Sequence, residues 1–110
     1  MSEWIDVAPV ADFKPGEALA VDVNDVMVAV FNINGEFFAL ENLCSHDGSP
    51  LIIEGLDPAD QIAGDRVTCP HHGAEFCIRN GAALSPPAYE DIAIFPVRIE
   101  NGVVQVKAVN

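Results

Sequence analysis

The sequence has few positive charges: 5 Lys and Arg stand against 17 Asp and Glu in 110 residues, for a formal net charge of −12. A chain this acidic repels polyanions, so nucleic acid and anionic membrane surfaces are not expected partners. Any charged partner should instead present a basic surface. The acids are concentrated between residues 47 and 65, a stretch in which Arg and Lys are missing.

Long hydrophobic runs are also missing. The longest uninterrupted apolar run is Val26 to Phe31, far short of the roughly 20 residues that cross a bilayer. The opening stretch MSEWIDVAPV has neither the basic region nor the apolar region of a secretory signal. We therefore expect a cytoplasmic protein with no membrane partner.

Cysteine is scarce as well, with 3 residues in the chain. In a cytosolic protein these are more typical of metal ligands or reduced thiols than of a disulfide framework. Half of the residues are hydrophobic and a fifth are charged, which is the composition of a globular domain able to bury its own core. Residues 1–110 are interpreted as one domain.

Strand signals dominate, and no window of helical length keeps a 3.6-residue period. Residues 19–33 form one β-branched and aromatic stretch, which Asn34-Gly35 separates from the next strand as a hairpin signal. Asn101-Gly102 does the same near the end, and Asn80-Gly81 is a third such pair. The fold is predicted to be all-β, an antiparallel β-sandwich or barrel.

A single turn of helix is predicted within residues 57–63. Asp57 can cap this turn, and Pro58 suits its first position because proline lacks the N–H that a helix start leaves unpaired.

Two short glycine-bearing loops, CSHDGSPL and CPHHGAEF, hold most of the cysteine and histidine. One residue separates Cys44 from His46, and two separate Cys69 from His72. At this spacing a thiolate and an imidazole can point at one centre, because nearby Gly and Pro let the backbone fold back. Together the loops offer a Cys₂His₂ set that fits either a tetrahedral zinc or a two-iron, two-sulfur cluster.

In these loops the sequence resembles the Rieske ferredoxins, whose ligands read Cys-x-His and Cys-x-x-His, the second usually Cys-Pro-x-His-Gly. The resemblance covers the whole chain, since that family is all-β, of similar length, and carries a proline loop where SPPAYE stands here. It implies one Rieske-type 2Fe-2S cluster per chain, with Cys44 and Cys69 on one iron and His46 and His72 on the other. The two cluster loops are expected to form a subdomain at about residues 43–90.

One departure is length: 22 residues lie between His46 and Cys69, more than in the compact members of that family. The resemblance also bears on the reduction potential. High-potential Rieske proteins carry two hydroxyl residues and a disulfide beside the cluster. This chain has Ala74 and Phe76 at the hydroxyl positions, and Ser49 and His71 at the disulfide positions. The resemblance therefore implies a reduction potential at the low end of the Rieske range, on the order of −150 mV.

The implied function is that of a soluble carrier, which takes one electron from a flavoprotein NAD(P)H reductase and passes it to a terminal oxygenase. It is not expected to be an enzyme: a mononuclear iron site needs two histidines and a carboxylate, and the cluster leaves only His71. Both partners should dock through basic surfaces.

Two alternatives use the same four ligands. The small Rieske subunit of an NADH-dependent nitrite reductase ranks second, because such subunits often lack ligands that this chain retains. A zinc-stapled interaction module ranks third. Cys77 is interpreted as a reduced thiol outside the site, on a strand whose alternation places Phe76 and Ile78 on the opposite face.

Overall fold

The computed structural model describes residues 4–44, 50–53, 57–70, 73–86 and 90–107. Within these ranges the chain forms ten β-strands and two 3-10 helices, Val10–Asp12 and Pro58–Asp60. In chain order the strands are β1 (Trp4–Pro9), β2 (Ala18–Val23), β3 (Val26–Ile33), β4 (Glu36–Glu41), β5 (Ile62–Ala63), β6 (Arg66–Thr68), β7 (Glu75–Cys77), β8 (Ile94–Phe95), β9 (Val97–Glu100) and β10 (Val103–Lys107). No helix in the described ranges is long and apolar enough to cross a membrane.

The strands form three antiparallel sheets, which confirms the predicted all-β class. The first sheet has the order β1-β10-β9, the second β2-β3-β4-β8 and the third β5-β6-β7. The strands of the third sheet are two or three residues long, and β6 ends directly before Cys69.

The prediction of one strand stretch over residues 19–33 is wrong, since the chain turns back in its middle. Asn24 and Asp25 have φ angles of 51° and 69°, and β2 pairs with β3 across them. Asn and Asp are among the few non-glycine residues that adopt this left-handed conformation. The turn is further held by the Asp22 carboxylate, which accepts from the Asp25 N–H at 3.0 Å.

Two of the predicted Asn-Gly hairpins are confirmed. Asn34 and Gly35 (φ 53° and 93°) join β3 to β4, and Asn101 and Gly102 (φ 51° and 77°) join β9 to β10. Two successive positive φ angles match the twist of the flanking strands. The third pair lies in a wider turn, which the Gly81 N–H closes by donating to the Cys77 carbonyl at 2.7 Å.

The predicted helical turn is also confirmed in a shorter form. The 3-10 helix covers Pro58–Asp60, and the Asp57 carboxylate accepts from the Ala59 N–H at 3.0 Å. It ends there because the chain leaves the helix to begin β5 at Ile62.

Buried side chains form two clusters. The sandwich core consists of Phe13, Val23, Val28, Val30, Ala39, Val104 and Val106, contributed mainly by the first and second sheets. The loop core consists of Ala18, Ala29, Phe31, Ile33, Leu40, Cys44, Leu51, Ile52, Val67, Cys69, Ala74, Phe76, Ile78 and Ile92. Strand β3 serves both cores, because successive side chains of a strand point to opposite faces.

Candidate functional site

The first predicted ligand that the structure describes, Cys44, lies three residues past the end of β4 and is 0% exposed. The segment that leads to Cys44 is anchored to β3, because the Asn42 N–H donates to the Met27 carbonyl at 2.8 Å. His46, the partner of Cys44 in the first motif, lies outside the described residues.

The side chain of Asn42 closes the first loop at its base. Asn42 is 7% exposed, and its Oδ1 accepts from the N–H groups of Leu51 and Ile52 at 2.9 and 2.7 Å. Its Nδ2 donates to the Ile52 carbonyl at 3.0 Å. One carboxamide thus joins both ends of the loop that carries Cys44. Sequence reasoning missed Asn42, although a lone carboxamide between a buried strand and a cysteine was a usable signal.

The second loop is closed by its own backbone. Cys69 is 1% exposed, and its N–H donates to the Ala74 carbonyl at 2.7 Å. Its carbonyl accepts from the Gly73 N–H at 3.0 Å. Gly73 has a φ of 75°, a conformation in which glycine avoids the strain that a side chain brings. His72 and its neighbour His71 lie outside the described residues.

A buried glutamine links the two loops. The Nε2 of Gln61 donates to the Leu51 carbonyl at 2.5 Å and to the Thr68 carbonyl at 3.1 Å. Leu51 belongs to the first loop, and Thr68 directly precedes Cys69. Gln61 also pairs through its backbone, because its carbonyl accepts from the Thr68 N–H at 2.9 Å. Sequence reasoning had no signal for this residue, because the pattern of residues 57–63 predicts a helical turn there but no link to the cysteine loops.

The loop core brings the two predicted cysteine ligands into one buried cluster. Cys44 and Cys69 share it with Ala74 and Phe76, the two residues at the predicted hydroxyl positions. Ala74 and Phe76 are both fully buried. Thiolates that are shielded from water by apolar neighbours suit an iron–sulfur group, so the described half of the predicted ligand set fits such a cofactor. That all four residues bind it stays a prediction.

The acidic stretch reaches the second loop. A cavity beside that loop is lined by Asp57, Asp60, Gln61, Thr68, Cys69, Pro70 and Gly73. Asp47 and Glu54, two other acids of the stretch, lie outside the described residues.

Cys77 lies on β7, outside the first and second loops that carry the predicted ligands, which are called the ligand loops. It is half-buried and is not in a disulfide, while Phe76 and Ile78 on either side are fully buried. The predicted alternation along this strand is confirmed. The following proline loop is tied back to β7 by Ser85, whose Oγ accepts from the Glu75 N–H at 3.0 Å; Pro87 lies outside the described residues.

Comparisons with known proteins agree with this geometry. The family model of the Rieske [2Fe-2S] domain matches residues 3–96. The 3-phenylpropionate/cinnamic acid dioxygenase ferredoxin subunit of Escherichia coli K12 is 42% identical over 98 residues, which cover 89% of this chain and 87% of that protein.

Solved structures point the same way. A chain in a complex of reduced oxygenase and oxidized ferredoxin in carbazole 1,9a-dioxygenase superposes with a TM-score of 0.82 at 31% identity, covering 94% of this chain and 91% of that one. A Mycobacterium tuberculosis NADH-dependent nitrite reductase small subunit gives a TM-score of 0.81 with 100% and 98% coverage, but at 23% identity. The second likeness shows a shared fold alone, so the nitrite reductase alternative is not favoured.

The chain therefore belongs to the Rieske [2Fe-2S] domain family, and its likeness to ferredoxin subunits confirms the prediction of an electron carrier with a Rieske cluster that is not itself an enzyme.

Proposed function

We propose that this protein carries single electrons in the cytoplasm from a flavoprotein NAD(P)H reductase to a terminal ring-hydroxylating oxygenase. Its Rieske cluster is held by Cys44 and Cys69 on one iron and by His46 and His72 on the other. One observation carries the assignment of the thiolates: both cysteines are buried in the same core, each at the base of a loop that hydrogen bonds close.

A bound 2Fe-2S group with mixed thiolate and imidazole ligands supplies a reversible one-electron centre. The protein's part is to hold the ligands still and to keep water from the sulfurs. Closed loop bases serve the first task, because they limit how far Cys44 and Cys69 can move. Apolar neighbours such as Ala74 and Phe76 serve the second task and offer no hydroxyl donor, which supports a low reduction potential.

The oxygenase partner is supported by relatives of two kinds. The Escherichia coli relative is named as a dioxygenase ferredoxin subunit, and the carbazole 1,9a-dioxygenase structure contains ferredoxin and oxygenase together. A net charge of −12 and acids beside the second loop favour partners with basic docking surfaces, since complementary charge speeds weak encounters.

The decisive experiment is a visible and EPR spectrum of the anaerobically purified protein, before and after dithionite, with iron, sulfide and zinc assayed on the same sample. We expect about two irons and two sulfides per chain and a rhombic signal on reduction. A colourless protein carrying one zinc would reject the electron-carrier proposal and support the interaction module.

Transfer itself can be followed by adding an NADH-dependent flavoprotein reductase and then a ring-hydroxylating oxygenase. We expect the visible absorption to bleach on reduction and to recover when oxidised oxygenase is added. Recovery with a nitrite reductase large subunit, but not with the oxygenase, would replace the proposed partner.

A further inference from the structure

We propose that Gln61 is a positioning residue for the cluster: its carboxamide nitrogen holds the two ligand loops together and so sets the stability and potential of the bound cofactor. The inference rests on the proposed ligands Cys44 and Cys69, each of which lies in or beside a loop that Gln61 contacts.

The orientation of the Gln61 amide follows from its partners. Both groups that it meets, the carbonyls of Leu51 and Thr68, are acceptors. Only the NH₂ group of a carboxamide can donate, so the nitrogen must face them and the oxygen must face away. The nitrogen therefore bridges a residue of the first loop and the residue that precedes Cys69.

This bridge differs from the contact that Asn42 makes. Asn42 joins two ends of the same loop, and the second loop closes through its own backbone. Gln61 instead connects one loop to the other, so the spacing between Cys44 and Cys69 depends on it. A two-iron group with one cysteine from each loop is sensitive to that spacing.

The other end of the same side chain supports a positioning role. Gln61 is 8% exposed, and its Oε1 is buried without a hydrogen-bond partner in the described ranges. A buried, unpaired oxygen lowers stability, and each such group in a native protein calls for an explanation. The bridge made by the Gln61 nitrogen explains why the unpaired oxygen is tolerated. Gln61 and Cys69 line the same cavity.

Two substitutions test the bridge. Gln61→Met keeps an unbranched side chain of similar length and removes both N–H donors. Gln61→Glu keeps the shape and places an oxygen where the nitrogen met two carbonyls. Asn32→Asp is the matched control: Asn32 is 3% exposed, and its Nδ2 donates to the Phe13 carbonyl at 2.7 Å, outside either ligand loop.

Three properties of the iron-loaded proteins are compared: the rate at which a chelator removes the visible absorption, the reduction potential and the EPR g-values. We expect both Gln61 variants to lose the cluster about tenfold faster than the wild type, with shifted potential and g-values. Asn32→Asp should lower the melting temperature and leave all three properties unchanged.

The proposal is overturned if Gln61→Met keeps the wild-type rate, potential and g-values, or if its changes equal those of Asn32→Asp. Should Gln61→Met fail to fold, Gln61→Glu decides by the same criteria. A wild-type protein that holds no iron refutes the proposed function and this inference with it. A normal wild-type spectrum beside an unaffected Gln61→Met refutes the positioning role alone.

Discussion

The sandwich core and the loop core of this protein are stabilised by different means. The sandwich core consists of Phe, Val and Ala side chains, most of them on strands whose backbones pair with one another. The loop core includes side chains from the short strands β6 and β7 and both predicted cysteine ligands. Of the three buried polar residues in the described part of the chain, Asn42 and Gln61 lie at the ligand loops. At these loops, side-chain carboxamides form the hydrogen bonds to backbone groups that neighbouring strands form in a sheet.

The reason is that a buried loop must still pair its backbone groups. Strands satisfy them with neighbouring strands, but a loop turning around a cofactor has no such neighbour. A carboxamide carries both a donor and an acceptor, so one side chain can serve N–H and carbonyl groups together. The comparison predicts that the loop core and the sandwich core respond differently to matched substitutions.

The largest expected difference comes from removing a thiolate. Cys44→Ser or Cys69→Ser should abolish cluster binding, because a hydroxyl is a much poorer ligand for an iron–sulfur group than a thiolate. Iron content and visible absorption measure the loss, and Cys77→Ser is the control that should retain both. Full iron content in Cys69→Ser would show that the thiolate ligand has been wrongly assigned.

The next largest difference is expected in the unfolding free energy when one glycine in each region is replaced with alanine. A Cβ at Gly81 would lie 2.2 Å from the Ile92 carbonyl oxygen, whereas a Cβ at Gly102 meets nothing within 4 Å. Both glycines have φ near 77°, so backbone strain is common to both variants. We expect Gly102→Ala to cost about 1 kcal/mol and Gly81→Ala about 3 kcal/mol or more, since the clash adds to the strain. Urea unfolding measures both, and equal losses would contradict the close approach at Gly81.

Asn42 and Asn32, the buried asparagines of the described ranges, offer a subtler contrast. Asn42→Ala and Asn32→Ala each leave backbone groups unpaired, so each should lower the unfolding free energy by about 2 kcal/mol. Only Asn42→Ala should also speed the loss of the cluster, because only Asn42 closes a ligand loop. Parallel measurements of unfolding and of chelator-driven bleaching test this. Equal bleaching rates in the two variants would mean that global stability alone retains the cofactor.

The same contrast explains which features could be read from the sequence. Two of the Asn-Gly hairpins, the capped helical turn and the alternation around Cys77 follow from local signals, and the structure confirms them. The Asn24-Asp25 turn was missed because it interrupts an apolar stretch without glycine. Asn42 and Gln61 were missed because their roles depend on residues that only folding brings together. Each contacts Leu51, which is 9 positions from Asn42 and 10 positions from Gln61 in the chain.

The smallest predicted effect concerns docking. Replacing Asp57 and Asp60 with Asn removes two charges beside the second loop, and the matched control replaces Asp12 and Asp22, which lie on the 3-10 helix Val10–Asp12 and on β2. Both double variants have the same net charge, and Asn at position 57 can still cap its helical turn.

If the acids near the cysteines guide a basic partner, only the first variant should be reduced more slowly at low salt, by a few-fold, with a flatter dependence on ionic strength. Stopped-flow reduction by a flavoprotein reductase over a range of salt concentrations measures both quantities. Equal slowing in the two variants would mean that the total charge of −12 governs association. In that case the loop core would differ from the sandwich core in retaining the cofactor, whereas the acids beside it would have no special role in partner association.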